Sequence, residues 1–116
     1  MSTYLFHGFQ TPETLAKLLA APEDRSAVLA PLFESLGGEL LGYWYVLGGV
    51  EVYGMFELPD DVTATGMAAR VAASGAFASP TCTRLMTVQE MLAALGGAGG
   101  ATVYRAPGQP GSGLAR

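Results

Sequence analysis

Residues 39–58 read ELLGYWYVLGGVEVYGMFEL, and this stretch decides the fold. Glu39 to Leu47 is dense in aromatic and branched side chains, the composition of a strand. Val50 to Leu58 alternates, with Val50, Val52, Gly54 and Phe56 on one face and Glu51, Tyr53, Met55 and Glu57 on the other. Gly48-Gly49 between the two runs predicts a two-residue hairpin turn.

Upstream, Thr3 to Phe9 (TYLFHGF) reads as a first strand. Thr11-Pro12-Glu13 then opens a short helix: Thr11 caps it, Pro12 suits its first position and Glu13 its positive end. Pro22 stops that helix, and Asp24 or Ser26 starts another, with Val28, Leu29, Leu32, Phe33 and Leu36 at helical spacing. Pro31 kinks this second run or marks its true beginning, and Gly37-Gly38 ends it. Downstream, Pro59-Asp60-Asp61 starts a helix through about Ala73 that carries Val62, Met67, Ala68 and Val71, closed by Ser74-Gly75. Thr81 to Val88 is the fourth strand, and Gln89 to Leu95 a short terminal helix. The order β-α-β-β-α-β predicts an α+β fold of ferredoxin-like type, with a four-stranded antiparallel sheet. The domain is expected over residues 1–95. Residues 96–116 hold seven glycines and two prolines and read as a flexible Gly/Pro-rich tail, in which ATVYR (101–105) could add an edge strand.

The chain has 116 residues, half of them apolar, and a net charge of −4. That is one domain's length, enough to bury roughly two-thirds of the unfolded surface without disulfides or metals. Residues 1–95 contain four basic and ten acidic residues, for a net charge of −6. Such an acidic body offers no footprint for nucleic acid. No basic leader precedes the apolar N-terminal residues, and Leu40 to Val50 is about half of a membrane span. A cytoplasmic protein is expected, with no membrane association. One His, one Cys and scattered carboxylates supply no metal-ligand set, and no cofactor is expected. The 96–100 string GGAGG follows a helix and lacks the Lys-Ser/Thr of a phosphate loop.

LFESLGGELLGYWYVLGGVEVYGMFELPDD, followed by a helix and TRLMTVQEM, resembles the GYD family of small, mostly bacterial ferredoxin-like proteins. The resemblance covers about residues 2–95. It rests on the helix ending Leu36-Gly37-Gly38, the Tyr-rich second strand, the Leu47-Gly48 turn and the exit Glu57-Leu58-Pro59-Asp60-Asp61. The Gly-Tyr-Asp motif that names the family is degraded: its three residues fall near Gly48, Val50 and Glu51, and Arg84 matches a basic residue of the family's last strand. The resemblance implies a dimeric α/β barrel, in which two four-stranded sheets pack face to face. Physical reasoning also predicts a homodimer. With both helices on one face, large residues such as Tyr53 and Met55 would be left on an uncovered face.

On that free face His7, Glu51 and Arg84 are the candidate catalytic residues, a His, a carboxylate and a guanidinium able to move a proton on a small organic substrate. Strand parity leaves open which face carries His7, which reads equally as a packed histidine. Glu51 is either a buried carboxylate paired with Arg84 or the wet beginning of a strand. Tyr43, Trp44 and Tyr53 are candidate ligand-binding residues, or aromatics of a core or dimer interface. Met55, Met67 and Met86 read as core filler and Cys82 as a buried, inert thiol. The expected function is a dimeric small-ligand-binding or regulatory module that takes a small apolar or aromatic molecule between its sheets. The alternatives are a cofactor-independent enzyme of monooxygenase or isomerase type and a purely structural dimer.

Overall fold

A computed structural model describes residues 1–100 and 103–109. Residues 1–85 form one compact unit and the chain from Met86 a second. The first unit contains β1 (Ser2–Gln10), α1 (Pro12–Ala20), α2 (Arg25–Ser35), β2 (Glu39–Tyr45), β3 (Glu51–Leu58), α3 (Asp61–Ala73) and β4 (Phe77–Leu85). The sheet is antiparallel throughout, in the order β2-β3-β1-β4. This is the ferredoxin-like α+β arrangement expected from the element order.

Each helix begins where a side-chain oxygen meets bare backbone amides. Thr11 accepts from the Thr14 amide, Asp24 from Ser26 and Ala27, and Asp60 from Thr63. The end of α2 is equally local. The Gly38 amide donates to the Phe33 carbonyl at 2.9 Å and the Gly37 amide to Glu34 at 3.0 Å, with Gly37 at φ +84°. Pro31 lies inside α2 on its exposed side, so the helix does not begin there; the missing amide only leaves the Ala27 carbonyl to solvent.

Tyr4, Phe33, Phe56, Leu58, Ala64 and Met67 form the core between sheet and helices. Phe56 stacks on Phe33 at 4.5 Å and on Tyr4 at 5.9 Å. Leu58 and Val52 are fully buried, each contributing about 1.5–3 kcal/mol from burial. Removing the Phe56 ring would cost about 3–5 kcal/mol. Val62 of α3 is 82% exposed, and Met67 is the only one of the three methionines read as filler that is buried there.

Other boundaries depart from expectation. The β2–β3 connection is longer than a two-glycine turn: Val46 pairs with the Glu51 carbonyl, and Gly49 donates back to Val46. Gln10, a buried polar side chain, ties this loop down through a 2.6 Å bond to the Gly49 carbonyl. β4 starts at Phe77, not Thr81. Ser79 and Pro80 oppose Gly8 alone as a bulge, with Ser79 at φ 51°, and Pro80 is tolerated because β4 is an edge strand. Val88, expected to end the strand, instead begins α4 (Val88–Gly99) behind a capping box between Thr87 and Glu90. This helix continues through residues 96–99, where the tail was expected to begin. Of ATVYR, residues 101–102 lie outside the described residues; Val103 and Tyr104 are exposed and in no strand.

Candidate functional site

Three strands meet at the candidate site. On β1, Tyr4, Phe6 and Gly8 face the helices, which turns Leu5, His7 and Phe9 to the opposite face. His7 lies opposite Tyr53 and Phe9 opposite Glu51, so all four side chains share that face. β2 adds Trp44, opposite Tyr53. Its placement depends on a bulge: Leu41 has no partner between Leu40, opposite Phe56, and Gly42, opposite Met55. The extra residue shifts the parity, sending Tyr43 to the helix side and Trp44 to the free face. The indole lies over Gly42, where a Cβ would come 2.2 Å from the ring.

The free face therefore carries Phe9, Trp44, Tyr53 and Met55 around one polar pair. The Nε2 of His7 is 2.5 Å from Oε2 of Glu51, with the two side chains 25% and 30% exposed. With Glu51 ionised the carboxylate accepts and Nε2–H donates. That leaves Nδ1 as the acceptor, and it has no hydrogen-bond partner among the described residues. The imidazole is held on two further sides, by Tyr53 at 4.5 Å and the edge of Phe9 at 5.1 Å between ring centroids. No element of residues 1–85 covers this face. Phe9 is 38% exposed and Trp44 52%.

Two of the candidates lie elsewhere. Arg84 is opposite Tyr4 on the helix-side parity, and its Nε is 3.6 Å from Oδ1 of Asp61 and 3.4 Å from the Ser2 hydroxyl. The expected Glu51–Arg84 pair is thus replaced by two pairs on opposite faces. The same Asp61 oxygen accepts the Tyr4 phenol at 2.6 Å; burial, and then this bond, push the Tyr4 pKa up. Tyr43 borders a cavity of about 310 Å³ between sheet and helices, and burial pushes its phenol up to about 12. Cys82 lies in the same cavity, its thiol raised by burial. Sequence reasoning missed this cavity, and it put Phe9 on the same side of β1 as His7 without counting it in the site. The alternation of β1 carried the second signal, once its inner face was known.

The GYD domain family matches residues 4–95. The chain belongs to the GYD domain family. No curated protein matches it. Within this GYD domain the residues read above as the degraded naming triplet, Gly48, Val50 and Glu51, lie on the β2–β3 loop and at the first residue of β3. Glu51, the residue read as the counterpart of the motif's aspartate, is hydrogen-bonded to His7. Among the described residues no three His, Cys, Asp or Glu side chains gather as a metal site, and no helix is long and apolar enough to cross a membrane.

Proposed function

We propose that this GYD-domain protein is a homodimeric small-ligand-binding or regulatory module, assembled through the free sheet face. The observation that supports it is the cluster of Phe9, Trp44, Tyr53 and Met55 around a single His–Glu pair. An apolar sheet face of this kind is costly in water, and a second copy related by two-fold symmetry is the commonest cover. Between two such faces a small apolar or aromatic molecule would stack on Trp44 and Tyr53, with His7 Nδ1 supplying one oriented polar contact. The protein acts in the cytoplasm, where its single thiol stays reduced.

Thermal shift with a panel of small aromatic metabolites tests the reading. Stabilisation by a panel member, lost in Trp44→Ala, is expected. No stabilisation by any member would count against ligand binding.

The carboxylate-held imidazole favours a second reading, a cofactor-independent enzyme of monooxygenase or isomerase type. Glu51 fixes the ring and Nδ1 is placed to accept a proton. A bound panel member that turns over in the wild type, and in His7→Gln binds without turning over, would favour the enzyme.

A further inference from the structure

The helix-side cavity lies on the face of the sheet opposite the free face. α2 lies over β2 and α3 over β4, the two outer strands of the sheet. The space between the helices is filled at one end by the Phe33–Phe56–Tyr4 stack. At the other end the sheet supplies Gly54 and Cys82 and α3 supplies Ala68, and these small residues leave about 310 Å³ open. Gly54 is not required there by close packing. A Cβ on it would make only ordinary contacts, 3.5 Å from Tyr43 and 3.8 Å from Phe6.

The charge around this cavity is unlike that of the body. None of the acidic residues lines it, yet Arg25 and Arg70, two of the four basic residues of 1–95, do. Glu23 holds Arg25 at 2.5 Å, which leaves one net positive charge. That charge is Arg70, which makes no ion pair among the described residues. Tyr43 also lines the cavity, close enough to Arg25 to feel its charge; its hydroxyl has no hydrogen-bond partner among the described residues, and its high pKa keeps it a donor. The walls are otherwise apolar, including Leu29, Leu32, Met67 and Phe77.

We propose that the cavity between the sheet and helices α2 and α3 binds an apolar monocarboxylate, its chain among Leu29, Met67 and Phe77 and its head on Arg70 and Tyr43. A single net positive charge suits a monoanion better than a doubly charged phosphate ester. At about 30 Å³ for each water-sized group, the cavity holds about ten such groups, which matches a medium-length acyl chain. The volume also sits at the lower end of the roughly 300–1,000 Å³ of small-molecule sites.

The full chain is titrated with sodium decanoate and, as the uncharged control, 1-decanol. Affinity is read by calorimetry and location by the methionine methyl resonances. Met67 lines the cavity and Met55 lies on the free face, so the two methyls distinguish the sites. Decanoate is expected to shift the Met67 methyl and leave Met55 in place. Arg70→Gln weakens decanoate about fivefold, the scale of one exposed charge pair, and leaves decanol unchanged. Gly54→Val, which fills the floor, removes binding of both while the circular dichroism spectrum persists. A shift at Met55 instead of Met67 would overturn this proposal and support the inter-sheet site. Absent binding, equal affinity for acid and alcohol, or full affinity in Gly54→Val would also overturn it.

Discussion

His7 and Glu51 meet diagonally across β1 and β3, Nε2 to Oε2 at 2.5 Å, on the sheet face opposite α2 and α3 and towards the end where β3 begins. Both side chains keep about a quarter to a third of their surface in water, so solvent weakens the pair. A double-mutant cycle of His7→Gln and Glu51→Gln, followed by urea unfolding, is expected to give a coupling of about 0.5–1 kcal/mol. A coupling of zero would mean the pair has no energetic role.

Two helix caps contribute to the loss of stability in acid. Hydrogen bonds from Ser26 to Asp24, and from the Thr63 amide to Asp60, hold both carboxyls below their ordinary 3.8. A depressed carboxylate stabilises the fold fully above its unfolded value, and that contribution is lost as pH falls through the folded one. The Tm should therefore drop below about pH 4. Asp60→Asn keeps a capping oxygen without the charge, and its Tm should fall less steeply over the same range.

The alkaline limit has the opposite sign. Tyr4 and Tyr43 both have phenols raised above 10.0, each chiefly by burial, Tyr43 to about 12. Their neutral forms favour the fold, so stability holds below pH 10 and falls as pH rises through the folded values. Phenolate absorbance should show two late-titrating tyrosines in the wild type and one in Tyr43→Phe.

Two glycines should respond oppositely to alanine. At Gly38, where the chain leaves α2, a Cβ would lie 1.9 Å from the Glu57 carbonyl oxygen, a backbone atom that cannot turn away. Gly38→Ala should cost about 1–3 kcal/mol by thermal unfolding. Gly66 lies exposed within α3 with nothing near its missing Cβ. Gly66→Ala should add about 0.5–1 kcal/mol, since alanine loses less backbone entropy on entering a helix.

The local signals in the sequence carried most of the fold. Thr11 caps the helix it was expected to cap, Asp24 and not Ser26 caps α2, Asp60 of the Pro59-Asp60-Asp61 run caps α3, and the alternation of β3 correctly assigns Val52 and Phe56 to the core. Signals that compete within a few residues were harder to read. Thr87-Val88-Gln89-Glu90 carries a capping box, but its β-branched residues also extend the preceding strand pattern. Pro80 hides the start of β4, because only an edge strand accepts a proline. The site was legible as far as period-two alternation reaches. That places Glu51 and Tyr53 together, but the bulge at Leu41, invisible in sequence, decides which of Tyr43 and Trp44 joins them. The partner of Arg84 was out of reach, since Asp61 comes beside it only through the packing of α3 on β4.

Sedimentation equilibrium of the full chain at micromolar concentration tests assembly through the free face. A particle of twice 12.0 kDa is expected. Trp44→Glu, which places a charge on an exposed side chain of the free face, is expected to dissociate that particle into folded monomers. A wild-type monomer of 12.0 kDa, or a dimer that Trp44→Glu leaves intact, would contradict assembly through this face.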